Sequence, residues 1–527
     1  MHAALRIDDI LSQIFGHIRD TLCVENPDIS VYRRRDLATA YHAALVCKAF
    51  RPHALDALWF WMEELEPLFD LLPENIKYDD EVVFSTFVAP LHREDLNIFD
   101  SYARRIRACH YYEENGVRID GKVPLIKQVL KCLTRACLLP NLQHIWVGDL
   151  ELPVDPRVSD HSFCFLLFGS NLRIFEMSSP NHDELLYLLP QLSQTTPFLH
   201  HLSMSEVKMP PKLLRLIHLP SLRYFNTSGD FLLSQASFSS CFQFAATLEK
   251  WIANSLKIQN KDSSRGQSSA GSPLFHFPSL KELSLWEQPG VSILGDLFTF
   301  TLFPSLRRLN LTIKNEDNND TFLQRLKSFF DLLFCRGNCL EELKVVWWDI
   351  GNAGLEEPTG IQLNKLFEGI SPDQALLKLN LAGLLTLDSL STSSIRHLAH
   401  TFPHLQTLHL ATDKSALISF DDLALLGELL PGLLHLSLCG INAEDLPVPP
   451  TIPVLTHGLK TLCISGSKIG DPIIMARHID RLFPFVGSPI YPSAPETEEE
   501  RAVISALALM KGCRKDEVAR NGATLVI

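Results

Sequence analysis

Phe277-Pro278-Ser279-Leu280-Lys281-Glu282-Leu283-Ser284-Leu285 returns nearly verbatim further along the chain. The copies are Phe303-Pro304-Ser305-Leu306-Arg307-Arg308-Leu309-Asn310-Leu311, Phe402-Pro403-His404-Leu405-Gln406-Thr407-Leu408-His409-Leu410 and Leu430-Pro431-Gly432-Leu433-Leu434-His435-Leu436-Ser437-Leu438. Each holds the frame Leu-x-x-Leu-x-Leu. Side chains alternate along a strand, so the fourth and sixth positions face one side and the x residues the other.

With other apolar residues allowed at the anchors, the frame starts at Leu142, Leu172, Leu199, Leu222, Leu248, Leu280, Leu306, Leu340, Leu376, Leu405, Leu433 and Leu459, spaced 23 to 36 residues apart. Thr227 and Trp251-Ile252-Ala253 break the leucine pattern in the units from Leu222 and Leu248. One such strand cannot bury its leucines alone, so the units stack with their strands in parallel. Between the strands, helical spacing covers Asp183–Leu192, Lys212–His218, Phe322–Phe334, Leu363–Ile370, Ser394–Thr401, Asp421–Leu430 and Pro472–Phe483. The fold class is therefore α/β, a leucine-rich-repeat solenoid with parallel strands on the concave face and helices on the convex face. Strands stack at about 4.8 Å and helices at 8–10 Å, which sets that curvature.

Composition bounds the function. The 527 residues are 46% hydrophobic and 21% charged, with a formal charge of −13. An acidic chain is not expected to bind nucleic acid, which needs a basic surface. No run reaches the roughly 18 apolar residues of a membrane span. The opening Met-His-Ala-Ala-Leu-Arg-Ile-Asp-Asp lacks a basic segment before an apolar one, so no secretory signal is expected. Twelve scattered cysteines make no disulfide framework. Cytoplasm or nucleus is the expected location, and the sequons at Asn226, Asn310 and Asn319 are read as chance.

A small all-α module is expected over residues 1–66. Leu5 to Ile18 carries apolar residues at helical steps, with Asp8 and Asp9 in its first turn. Arg19 to Asp36, with Pro27 and Arg33-Arg34-Arg35, reads as a loop. Leu37–Phe50 and His53–Leu65 read as the second and third helices, Pro52 starting the latter. Three short helices make a small core that usually needs a partner. Residues 67–138 read as a transition of degenerate repeats: a helix ending near Leu72-Pro73, a strand over Val82–Val88, and amphipathic helices over 94–109 and Val123–Leu139. The solenoid proper covers 139–490, interrupted by a polar Ser/Gly-rich loop at 259–273 that should be disordered. A helical tail fills 491–527, with its helix at Glu496–Lys511 as cover for the last strand edge.

Ile10-Leu11 with Ile14-Phe15, then Leu45-Val46-Cys47-Lys48-Ala49-Phe50, then Ala54-Leu55 and Leu58-Trp59, resemble an F-box, particularly that of fungal F-box proteins with degenerate leucine-rich repeats. The Leu-Pro pair that commonly opens the box is missing, Arg6-Ile7 standing near that place, and the interval Arg19 to Asp36 is longer than usual. The resemblance implies a substrate-receptor subunit of an SCF-type ubiquitin ligase, docking on a Skp-type adaptor and through it on a cullin, with the repeats holding an unknown target protein. The implied adaptor contacts are Ile7, Ile10, Leu11, Ile14, Phe15, Leu45, Val46, Cys47, Lys48, Phe50, Leu55, Leu58 and Trp59. The alternative is a leucine-rich-repeat scaffold or inhibitor without a ubiquitin role, whose helices only cap the solenoid.

There is no phosphate loop, dinucleotide-binding glycine motif or Gly-x-Ser-x-Gly elbow. His397, His400 and His404 have a spacing that would suit zinc on one helix face, the basis of a rival hydrolase or metalloprotein reading. Pro403 should end that helix, and no nearby ligand completes the set. Cys335 and Cys339 are read as buried free thiols. A non-enzymatic chain without cofactor or metal is expected.

The first x position of successive units runs Arg173, His200, Arg223, Glu249, Lys281 and Arg307, with Lys250 and Arg308 beside it, before Glu341-Glu342 reverses the sign. One reading is a positive stripe for an acidic or phosphorylated partner segment. The other is a mixed solvated surface, since Glu249 and Glu282 interrupt the stripe.

Overall fold

The computed structural model describes residues 8–22, 30–72, 91–112, 123–148, 165–178, 182–207, 209–229, 231–234, 244–254, 256–259, 275–288, 290–315, 319–336, 339–349, 363–383, 390–411, 417–438, 440–446, 454–455, 457–464, 467–487 and 497–524. The chain divides into two compact units, 1–248 and 249–527.

The first unit begins with three helices, α1 (Asp8–Leu22), α2 (Ser30–Val46) and α3 (Arg51–Leu58). Pro52 lies in the first turn of α3, where its missing N–H costs nothing. The described residues of the interval Arg19 to Asp36 are helical: α1 runs on through Leu22, and α2 starts at Ser30 and carries Arg33-Arg34-Arg35, while 23–29 lie outside the described residues. The third helix stops at Leu58 instead of reaching Leu65, because the next residues are drawn into a strand.

That strand, β1 (Trp61–Met62), opens a parallel ladder with β2 (Ala108–Tyr112), β3 (His144–Gly148), β4 (Ile174–Ser178), β5 (His201–Ser205) and β6 (Tyr224–Thr227), each paired with the next in chain order. The sheet therefore starts well before residue 139, inside the stretches assigned to the box and the transition. The helix expected over 94–109 ends at Ala103, and Cys109 belongs to β2. The helix expected over Val123–Leu139 stops at Leu133. The strand expected over Val82–Val88 lies outside the described residues, as does the loop at 259–273 apart from Gln259.

Register comes from the first x residue of each unit, whose carbonyl accepts two N–H groups from the next unit. Arg173 and Ile174 both donate to Gln143, and His200 and His201 both donate to Arg173. Burial then alternates along β4 and β5, with Phe175, Met177, Leu202 and Met204 inward. The anchors Leu142, Leu172, Leu199, Leu222 and Leu248 are fully buried. Thr227, in the unit from Leu222, is buried at the sixth position, where the preceding units place Val147, Met177 and Met204.

The second unit repeats the plan with β7 (Lys250–Ala253), β8 (Glu282–Gln288), β9 (Arg308–Asn315), β10 (Glu342–Asp349), β11 (Lys378–Ala382), β12 (Thr407–Ala411), β13 (His435–Leu438) and β14 (Thr461–Ile464), parallel and in chain order. Trp251 and Ala253, which break the leucine pattern, fill the fourth and sixth positions fully buried. The phenylalanines of the repeated phrase form a stack behind the strands. Trp251 lies 5.9 Å from Phe277, Phe277 lies 5.5 Å from Phe303, and Phe298 carries the contact on to Phe329 at 5.2 Å. Position 383 requires glycine, since its φ is +123° and a Cβ there would meet Trp347 O at 2.2 Å.

The connecting helices in this unit include Val291–Phe300, Asn319–Cys335, Thr392–Thr401, Phe420–Leu429 and Pro472–Leu482. Val291–Phe300 was not legible as a helix. Ser391, Ser419 and Asp471 cap three of them by accepting from the first-turn backbone. The tail helix, Glu498–Thr524, is longer than the expected Glu496–Lys511 and packs on Pro472–Leu482 through Val503 and Leu507 and an Arg514–Asp480 ion pair. In each unit the architecture is an α/β leucine-rich-repeat solenoid: leucine-anchored parallel strands, helices returning the chain, and one sheet face left open.

Candidate functional site

Two surfaces carry exposed chemistry. The first is on the three-helix module. Its core is small: Leu11, Phe15, Ala40, Ala54 and Ala57, with Ile18, Phe50 and Leu58 packed around them. His53 Nε2 stands 2.8 Å from Asp8 Oδ1 and ties α3 to α1. Leu11 and Phe15, at 2% and 5% exposure, are thus interior. Their assignment to an adaptor contact is corrected: an amphipathic stripe shows that a face is covered, not by what. Ile7 lies outside the described residues.

The outward residues lie at the end of α2. Leu45 and Val46 are 69% and 67% exposed, an arrangement water disfavours. Beside them opens a groove of about 600 Å³ lined by Tyr41, Leu45, Cys47, Lys48, Leu55, Leu58 and Trp59, with Ala44 and Arg51. The sequence-derived residues Leu45, Cys47, Lys48, Leu55, Leu58 and Trp59 are therefore brought together at one surface. Ile10 and Phe50 are half-buried, and Ile14 is exposed on α1. Tyr41 was missed, although it stands four residues before Leu45 on the same helix face. Trp59 also leans on the first repeat, its ring 4.6 Å from that of Tyr102, and Arg105 pairs with Asp56.

The second surface is the open sheet face. In the second unit the basic residues of the stripe are paired with acidic strand neighbours, so of the two readings the mixed surface is the one found there. Lys281 Nζ lies 2.7 Å from Glu249, Lys250 Nζ 2.8 Å from Glu282, and Arg307 3.1 Å from Glu341. Arg308 stands 3.8 Å from both Glu282 and Glu342, and Lys378 3.6 Å from Glu342. The cause is register: residues about thirty apart in sequence stand about 4.8 Å apart across the ladder. In the first unit Arg173 lies over the Phe198 ring at 4.8 Å and donates to the Phe198 carbonyl. Burial, then Arg173 and Arg223, hold the His200 imidazole below its ordinary value.

The open face of the first unit holds an aromatic and imidazole cluster that sequence reading missed. Trp61 and His110 rings lie 4.2 Å apart, His110 and Trp146 5.3 Å, and His201 and Tyr224 3.9 Å. Glu176 Oε1 sits among them, 3.4 Å from His201 Nε2 and 3.9 Å from His144 Nε2. Burial pushes the His144 imidazole down to about 4. The signal was available in the x positions of the units from Leu142 and Leu172.

Among the described residues no group of three or more His, Cys, Asp or Glu is placed to hold a metal, and no helix is long and apolar enough to cross a membrane. His404 faces Asp373 at 3.2 Å, and the helix bearing His397 and His400 ends before Pro403. Cys335 and Cys339 are exposed, not buried, because they flank the end of Asn319–Cys335 rather than its packed face.

No protein family's sequence profile matches the chain. No curated protein matches it. Among solved structures, the chain is similar to TLR13 in its complex with ssRNA13, at 17% identity over 70% of this chain and 41% of that one, TM-score 0.32. It is also similar to a chain of the Rad7 and Elc1 complex in yeast, at 14% identity over 86% of this chain and 92% of that one, TM-score 0.35. Likenesses at this level assign no function.

Proposed function

We propose that this chain is the substrate receptor of an SCF-type cullin ubiquitin ligase, its helical module an F-box of the fungal kind that docks on a Skp-type adaptor. The exposed pair Leu45 and Val46, beside the apolar groove ending at Trp59, carries the reading. A module whose core holds three alanines beside Leu11 and Phe15 leaves Leu45 and Val46 at the surface, and such patches mark partner sites. Covering two side chains of this size contributes roughly 1.5–3 kcal/mol each.

The repeats then hold the target. The chain itself is non-catalytic in this role: holding target lysines near a ubiquitin thioester carried elsewhere raises their effective concentration. With that role goes residence in the cytoplasm or nucleus. The second reading, a repeat scaffold capped by its helices, draws on the Trp59–Tyr102 contact and the Arg105–Asp56 pair that bind the module to the first repeat.

Co-expression of the full chain with a Skp-type adaptor separates the two. The adaptor is expected to co-purify with the wild type and to be lost on Leu45→Asp with Val46→Asp, circular dichroism staying unchanged. Failure of the wild type to retain the adaptor sinks the ligase reading and leaves the scaffold.

A further inference from the structure

We propose that the row Arg107, Gln143, Arg173, His200 and Arg223, on the open sheet face of the first unit, holds an extended acidic segment of a bound polypeptide through carboxylates three residues apart. This names the chemistry of the target, and it rests on the receptor reading only in calling the bound polypeptide a target.

Register sets the row. Gln143 donates its backbone N–H to the carbonyl of Arg107, Arg173 to Gln143, His200 to Arg173 and Arg223 to His200. Gln143 and Arg223 are exposed and the other three are half-buried. Arginine therefore recurs on alternate strands, about 9.6 Å apart at the usual strand spacing. A polyproline II segment laid across the strands has three residues per turn and rises about 3.1 Å per residue, so side chains i and i+3 face the same way about 9.3 Å apart. Carboxylates at that interval meet Arg107, Arg173 and Arg223 in step, one for each guanidinium group. A β-strand partner, whose same-face residues are about 6.6 Å apart, falls out of step.

The surroundings favour an anion. Neither the row before (Arg105, Asn141, Asn171, Phe198, Ser221) nor the row after (Ala108, His144, Ile174, His201, Tyr224) holds an aspartate or glutamate. Glu176 stands three residues, about 10 Å, beyond Arg173 along β4, and its Oε1 lies 3.4 Å from His201 Nε2. Among the described residues Arg107 and Arg173 meet carbonyls and a ring rather than carboxylates: Arg107 donates to Asn141 O, and Arg173 donates to Phe198 O while lying over that ring. Such contacts orient a guanidinium group without cancelling its charge. The field registers at His200, whose imidazole is held below its ordinary value by burial and then by Arg173 and Arg223. Phe198, 55% exposed beside Arg173, offers an apolar contact to the residues between the carboxylates. At the corresponding positions of the second unit Lys281 already pairs with Glu249 and Arg307 with Glu341, which confines the site to the first unit. A nucleic acid is the poorer occupant, because a chain of formal charge −13 opposes a long polyanion. A short segment senses chiefly the charges within the screening length of about 8 Å.

The test uses the full chain and a labelled peptide of glutamate-proline-proline repeated three times. Its comparisons are the same composition with the glutamates adjacent, the versions with lysine or phosphoserine in place of glutamate, and an oligothymidylate. The spaced glutamate peptide is expected to bind and the lysine peptide not to. Affinity should fall about tenfold in Arg173→Gln and in Arg223→Gln, each the loss of one charge-assisted contact. Arg307→Gln on the second unit and Leu45→Asp on the helical module should leave it unchanged, which separates this site from adaptor docking. Near-ultraviolet circular dichroism verifies that the variants are folded. Equal binding of the lysine or adjacent-glutamate peptide, binding confined to the phosphoserine peptide, a preference for the oligothymidylate, or an unaltered affinity in both folded arginine variants of the row overturns the proposal.

Discussion

Phe15 meets Phe50 edge to face, ring centroids 6.0 Å apart, inside the three-helix module. Phe15→Ala is therefore expected to cost about 3–5 kcal/mol of module stability. Leu45→Asp, on the exposed last turn of α2, should shift stability by no more than about 0.5 kcal/mol. Amide hydrogen exchange across α1 to α3 reads the difference. Equal protection in the two variants contradicts the interior placement of Phe15.

His144 makes the fold acid-sensitive. Its ordinary value is 6.5 and burial lowers it to about 4, so between those values the unfolded chain holds a proton that the folded chain refuses. The stability present above pH 6.5 is lost as pH falls, and the loss is complete near pH 4. Its full size is about 3 kcal/mol. Urea midpoints at pH 7 and pH 4.5 should differ less in His144→Asn than in the wild type, and an identical pH dependence would refute the assignment.

The ion pairs of the second unit predict a salt-sensitive charge reversal. Glu342→Lys removes contacts to Arg308 and Lys378 and sets a third cation between them. Each exposed pair contributes about 0.2–1 kcal/mol, so the variant should lose roughly 1–2 kcal/mol at low salt. Most of that should vanish near 1 M salt, where the screening length is about 3 Å. A loss of the same size at both salt concentrations means strain, not charge.

Thr227 offers a gain. Its hydroxyl is buried and has no hydrogen-bond partner among the described residues. Thr227→Val keeps the shape and removes the stranded polar group, so stability should rise by about 1–2 kcal/mol in chemical denaturation. A destabilised variant shows that the hydroxyl is bonded.

Thiol reactivity sorts the cysteines. Cys335, Cys339 and Cys513 are exposed and should react quickly with a disulfide reagent at neutral pH. Burial, and after it the charge of Glu66, pushes the Cys109 thiol up to about 12, so it should react only after denaturation. Fast labelling of Cys109 in the native chain would contradict its burial.

The ladder was legible where leucine occupied every inward position, as in Leu280-Lys281-Glu282-Leu283-Ser284-Leu285, because period-two alternation needs no knowledge of neighbours. It was illegible at Trp61–Met62 and Ala108–Tyr112, where Met62 and Cys109 take the inward place of leucine. Val291–Phe300 was missed because β-branched residues and Gly295 disguise the helix. On the three-helix module, the sequence distinguished apolar from polar faces but not interior from exterior, so Phe15 and Val46 were grouped together. The ion pairs and the cluster around Glu176 depend on register between strands, which only the stacked repeats supply.

Along Lys250, Glu282, Arg308, Glu342 and Lys378 the sign changes at every step. Excising one turn of the coil from that run would set two like signs edge to edge, whereas excising two adjacent turns restores the alternation. In this part of the molecule the face charges therefore favour an even change in the number of turns, by the roughly 0.2–1 kcal/mol that each exposed pair contributes.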